Sequence, residues 1–140
     1  MLAGHSAGGH LVTRMITGAA PALTDRIRNV VSISGLHDLR PLMKTGMNGD
    51  LRLDAAEAAA ESPALLTPAG NATVTAWVGA DERPEFLRQS ALLANIWAGL
   101  GIETRLVEAL GKHHFDVIDA LGDPESALCD ALLSDPAGLG

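Results

Sequence analysis

Near the start of the chain, Gly4-His5-Ser6-Ala7-Gly8 has the spacing G-x-S-x-G, which describes a nucleophile elbow. In such an elbow a strand turns so abruptly into a helix that the serine is held in a strained conformation, with its hydroxyl lifted clear of the sheet. Side chains at positions 4 and 8 are expected to collide with the neighbouring strand and helix, and glycine at both relieves the crowding. A serine hydroxyl is a poor nucleophile at neutral pH, so it needs a base and a group that orients the base, arriving along the chain as acid and then histidine. His113 and His114 follow the last predicted strand and precede a predicted helix. His114, directly ahead of Phe115, is the expected base, with His113 at the pocket rim. In the loop Gly79-Ala80-Asp81-Glu82 both Asp81 and Glu82 are placed to hold the imidazole, and spacing leaves that choice open. The carboxylate not used for this is expected to cap the helix that begins near Pro84. The N–H of Ala7, at the helix start, would face a developing oxyanion. The chemistry implied is acyl transfer to water.

Other polar residues have plainer expectations. His5 packs beside the elbow, and His5 and His10 lack the cysteines or carboxylates at ligand spacing that a metal site needs, so no metal is expected. His37 lines the pocket or is solvated in a loop. The charged stretch from Asp50 to Asp54 reads as a solvated helix start. Cys129 stands alone, which excludes an internal disulfide and suggests a buried structural thiol.

These residues must be carried by alternating strands and helices. Short apolar runs at 1–5, 29–34, 73–78 and 102–108 predict four strands, and the segments between them have helical spacing. Helices are expected over 7–19, over 84–99 with Pro84 in the first turn and Gly99 at the exit, and over 115–121 and 124–133. A helix-rich excursion is expected over 39–61, with Asp38 as its N-cap and an end at Ser62-Pro63. The fold class is α/β, with about four mostly parallel strands and crossover helices in one domain over 1–140.

The chain has 140 residues, 47% of them hydrophobic and 19% charged, enough to bury a substantial core. A net charge of −7 and a pI near 5.0, with scattered Lys and Arg, argue against nucleic acid or an anionic membrane as partner. Two Phe, two Trp and no Tyr leave no platform for stacking bases. No apolar run reaches the length of a membrane span and no signal peptide is evident, so a cytoplasmic protein acting on a small molecule is expected.

Further stretches carry a resemblance. The elbow extended to Gly9-His10, Ile33-Ser34-Gly35-Leu36-His37-Asp38-Leu39-Arg40-Pro41-Leu42, Asn48 with Leu51-Arg52-Leu53-Asp54, Ser62-Pro63, Pro84-Glu85-Phe86 with Arg88-Gln89-Ser90, and His114-Phe115-Asp116 are similar to the arylformamidases, or kynurenine formamidases. That group of α/β-hydrolases lies near the hormone-sensitive-lipase-like esterases. The resemblance implies a Ser, Asp or Glu, His triad, no cofactor, and hydrolysis of N-formylkynurenine to kynurenine and formate in tryptophan breakdown. Carried over by position it implies Ser6 as nucleophile, His114 as base and Glu82, two places before Pro84-Glu85-Phe86, as acid.

The group also has a long segment before the elbow, with an H-G-G loop that supplies further oxyanion donors, and nothing in this sequence matches it. The expectation is therefore the C-terminal part of an α/β-hydrolase fold, poorly active alone. Its first strand would form an exposed apolar edge through which two copies could associate. The alternatives are a general carboxylesterase acting on short acyl esters and an inactive truncated fragment.

Overall fold

A computed structural model describes residues 1–134. Four strands, β1 (Leu2–His5), β2 (Asn29–Ile33), β3 (Thr73–Gly79) and β4 (Thr104–Ala109), form one sheet in the order β1-β2-β3-β4, with every neighbouring pair parallel. β2 and β3 are central and buried along their whole length, in keeping with sequences rich in β-branched and apolar residues. β1 and β4 lie at the edges and are only partly covered.

Side chains alternate across the pleat, so each central strand feeds two cores. On one face Val30 and Val74 meet Val12, Ile16, Leu93 and Trp97 from the helices α1 (Ala7–Arg14) and α5 (Pro84–Gly99) and the turn that follows α1. On the other face Val31, Ile33 and Trp77 meet Val117 and, from α6 (Ala127–Leu133), Leu128. The result is a helix–sheet–helix sandwich. The ends of β1, β2 and β3, and the chain that follows β4, deliver the site residues to one rim of this frame.

The connections follow local chemistry. α5 has Pro84 in its first turn and stops at Gly99, as its sequence predicts; the Leu100 and Ile102 N–H groups close back on the Trp97 carbonyl. That closure draws Ile102 into the core, and β4 starts at Thr104 rather than at 102. α1 ends at Arg14, short of the expected 19, because the chain passes into a wider π-type turn over Met15–Ala19 with Gly18 at φ 93°. A short helix, α2 (Pro21–Thr24), follows.

The helix-rich excursion after β2 is made of a 3₁₀ turn (Arg40–Lys44), α3 (Asn48–Leu51) and α4 (Ala55–Ala60). Asp54 caps α4 in a reciprocal box with Glu57, consistent with a solvated helix start in that stretch. The helix expected over 115–121 is replaced by turns and a short 3₁₀ segment (Asp119–Gly122), because the Asp116 carboxylate accepts the His113 N–H and folds the chain back on itself. The final helix starts at Ala127, not at 124, with the Ser126 hydroxyl accepting the Cys129 N–H. Cys129 is half-buried, with its Sγ directed at the Ala120 and Leu121 carbonyls. No helix among the described residues is long and apolar enough to cross a membrane.

Candidate active site

At the end of β1 the chain turns into α1 through Ser6, whose φ of 56° and ψ of −115° lie outside the regions open to ordinary residues. Such a conformation costs on the order of 1–3 kcal/mol and persists only where neighbours over-determine it. Here the Ser6 N–H donates to the Ile33 carbonyl at 2.8 Å, while the Ser6 carbonyl accepts from the Gly9 and His10 N–H groups at 2.9 and 3.2 Å. Gly4 is obligatory: a Cβ there would be driven into the Gly8 carbonyl. Gly8 itself does not need to be glycine for space, contrary to expectation, since a Cβ there would meet nothing. The second crowded position is Gly9, where a Cβ would lie 2.6 Å from both the Gly35 Cα and the Ser32 Oγ. It is the third residue of α1, not the second, that presses on β2 and the chain just beyond it.

His114 arrives from the loop after β4. Its Nε2 is 3.2 Å from the Ser6 Oγ and its Nδ1 is 2.8 Å from the Glu82 Oε2. A carboxylate acceptor places the ring proton on Nδ1 and leaves the Nε2 lone pair toward Ser6. The ring lies between Phe86, with centroids 4.3 Å apart, and His5, at 4.7 Å, while Phe115 meets its edge at 5.3 Å. The His5 Nε2–H donates to the His114 carbonyl at 2.8 Å, so the residue beside the elbow also holds the backbone of the loop that delivers the imidazole.

Of the two adjacent carboxylates, the structure brings Glu82 to His114 and leaves Asp81 exposed, its N–H bonded to the Lys112 carbonyl at 3.0 Å. Glu82 Oε1 accepts the Gly79 N–H at 2.9 Å and the hydroxyl of Ser34. The expectation that the spare carboxylate caps α5 fails: Arg83 occupies the N-cap and no side chain caps the helix, while Pro84 at its start removes one of the N–H groups a cap would serve. The Ala7 N–H, first amide of α1, has no protein acceptor among the described residues and is free to meet an external oxygen.

A cleft of about 460 Å³ adjoins the imidazole, walled by Arg83, Phe86, His113 and Phe115. Ser6 is not part of that wall, so the cleft opens from the base toward the aromatic side chains rather than around the hydroxyl. His113 is exposed at its rim, as expected.

His37 departs from its expectation. It neither lines the cleft nor meets solvent, but lies fully buried with Nε2 3.2 Å from the Ser32 Oγ and Nδ1 3.4 Å from the Thr13 Oγ1. Burial, and secondarily the charge of His10, lowers its pKa to about 3, so it is a neutral strut between β2 and α1. His10 turns outward and bonds the Glu61 carbonyl at 2.7 Å.

A residue that sequence reasoning passed over explains much of the stretch after Pro84. Gln89 Oε1 accepts the N–H groups of both His37 and Asp38 at 2.7 Å, and its Nε2 donates to the Asp38 carbonyl and the Glu85 carboxylate at 2.8 Å. Arg40 and Arg88 both reach the buried Asp38 carboxylate, and the Arg40 hydrogen bond above all holds Asp38 below the usual carboxylate range. These bonds fix α5 to the loop after β2, and hence Glu82 to β2.

A strand-turn-helix elbow on a parallel sheet, with a histidine and a carboxylate delivered from later loops, defines the α/β-hydrolase fold, and solved structures of that fold match the chain. A protein from a Silicibacter species, provisionally described as a thioesterase, superposes with a TM-score of 0.87 and 48% identity, over 94% of this chain and 49% of its own. An esterase/lipase from an uncultured bacterium shares the fold at a TM-score of 0.62 and 21% identity, over 81% of this chain and 43% of its own. Among curated sequences the chain is similar to the kynurenine formamidases of Salmo salar, at 29% identity, and Danio rerio, at 27%, each over 94% of this chain. The chain spans about half the length of these curated relatives, 48% and 47% respectively. No family profile matches the chain.

Proposed function

We propose that this chain carries the catalytic residues of a serine hydrolase whose substrate is an aryl formamide, N-formylkynurenine, split to kynurenine and formate in tryptophan breakdown. The observation that carries the reading is the continuous relay Ser6 Oγ, His114 Nε2 and Nδ1, Glu82 Oε2, with steps of 3.2 and 2.8 Å in the chain order serine, acid, histidine. Ser6 Oγ attacks the formyl carbon as its proton passes to His114 Nε2, and Glu82 stabilises the imidazolium so formed. The carbonyl oxygen becomes an oxyanion facing the Ala7 N–H. As the C–N bond breaks, the leaving aryl amine takes the proton from Nε2, and Ser6 keeps the formyl group as an ester. Water, deprotonated by the same nitrogen, attacks that ester, releasing formate and returning the proton to Ser6.

Two features favour an aryl formamide. A formyl group is the smallest acyl group and needs almost no acyl pocket, in keeping with a cleft that opens beside the base. Phe86 and Phe115 offer that cleft aromatic walls for an aromatic leaving group. The similarity to two fish kynurenine formamidases supports the same choice.

A second reading, a thioesterase or carboxylesterase acting on short acyl groups, is favoured by the 48% identity to the Silicibacter protein. The same relay serves it with a thiol or alcohol as leaving group. The test compares turnover of N-formylkynurenine, an acetyl thioester and p-nitrophenyl acetate by the wild-type chain and by Ser6→Ala. With Ala7 as the one oxyanion donor among the described residues, the rate should lie on the order of 10²- to 10³-fold below that of a two-donor site. It should still depend on Ser6 and favour the formamide. Preference for the ester or thioester would move the assignment to the second reading, and turnover unaffected by Ser6→Ala would end both.

A further inference from the structure

Ser34 is the residue by which the chain leaves β2, and its backbone stands in the left-handed region at φ 49° with the side chain completely buried. A glycine would take that conformation freely, whereas any residue with a Cβ is strained there. What serine adds at this position is a hydroxyl, and the hydroxyl donates to Glu82 Oε1. The same oxygen accepts the Gly79 N–H at 2.9 Å, so both of its donors come from the exits of adjacent strands, and Oε2 alone remains for His114. The Glu82 side chain has no exposed surface, so solvent does not supply a substitute donor. Ser34 is itself anchored, its N–H donating to the Trp77 carbonyl of β3 at 2.6 Å. The donor and the loop that carries Glu82 are therefore tied to the same strand.

We propose that Ser34 is a positioning residue that locks the Glu82 carboxylate in the orientation in which Oε2 receives the His114 Nδ1–H. It acts through Glu82 and touches no reacting atom. The inference rests on reading Ser6, His114 and Glu82 as a proton relay, and it deepens that reading by adding a fourth member.

Ser34→Gly separates this role from a structural one, because it removes the hydroxyl while relieving the backbone strain. Ser34→Ala removes the hydroxyl and keeps the strain. If Ser34 were only structural, losing its bond to the buried carboxylate would lower Tm in both variants, less in Ser34→Gly where strain is relieved, and leave the reactivity of the folded protein unchanged. If it positions Glu82, the limiting rate of Ser6 modification by an aryl fluorophosphonate, measured at a temperature where each protein is fully folded, falls in both variants on the order of 10- to 100-fold. The reversible binding constant of the reagent should not move. Independently, the downfield proton resonance of the His114 Nδ1–H should broaden or vanish in both variants through faster exchange. Wild-type rates with a retained resonance in the two variants would overturn the proposal, as would a slower rate that appears only alongside unfolding. A wild-type chain that the reagent never modifies would refute the nucleophile reading instead, and Ser34 would then stand or fall on the His114 resonance alone. Absence of that resonance from the wild type would overturn both.

Discussion

His37 lies between Ser32 and Thr13 with no exposed surface, where burial, helped by the charge of His10, lowers its pKa from 6.5 to about 3. The unfolded chain accepts a proton at this residue near the ordinary value, and the native state refuses it until about 3. Stability from this group is therefore complete above the unfolded value and falls as pH drops through the window between the two. Below the lower limit both states hold the proton and the loss stops. One proton of difference is worth about 1.4 kcal/mol per pH unit, so moving from about pH 7 to about pH 5 should cost about 2 kcal/mol. For a chain of this length that is a fall of about 7 °C in Tm.

The assay is urea or thermal unfolding at both pH values for the wild type and for His37→Gln, which has no proton to gain. The other histidines and the carboxylates are common to both proteins, so the difference between the two pH-dependent losses isolates position 37. The variant should lose about 2 kcal/mol less than the wild type on acidification, whatever its stability at neutral pH. Equal losses in the two proteins would refute the account of His37 as a buried neutral strut.

At the elbow two alanine substitutions should have opposite signs. Gly4→Ala drives a Cβ into the Gly8 carbonyl and should destabilise by about 2 kcal/mol or more, whereas Gly8→Ala meets open space within α1 and should stabilise by about 0.5–1 kcal/mol in urea unfolding. Gln89→Leu should cost about 3 kcal/mol, since two buried N–H groups lose their acceptor, and hydrogen exchange should quicken at the amides of His37 and Asp38.

The elements that were legible in the sequence are those whose signals are local. β2 and β3 announce themselves as apolar runs because both faces are buried, and α5 has Pro84 and Gly99 at its ends. The elbow was legible because its spacing is itself the backbone constraint, although the crowded second glycine is Gly9, whose neighbours Ser32 and Gly35 come from β2 and the loop that follows it. The turns after Ala109 misled for a related reason. The stretch 115–121 has helical spacing, but a single bond from Asp116 to the His113 N–H, made to deliver His114, outweighs it.

The choice between Asp81 and Glu82 was beyond spacing because it depends on donors from Gly79 and Ser34 that gather only when β2 and β3 are paired. His37 was misread for want of the same information. Its surroundings are assembled from α1, β2 and α5, and a histidine in a loop gives no sign that the loop is the floor of the core.

The proposed chemistry stands on Ser6 as nucleophile and His114 as its base. Mass spectrometry of the intact chain after exposure to a fluorophosphonate, followed by peptide mapping, tests it most directly. A single adduct is expected, located on Ser6, abolished in Ser6→Ala and strongly slowed in His114→Ala. An adduct on another residue, or one on Ser6 that forms equally fast without the imidazole, would contradict it.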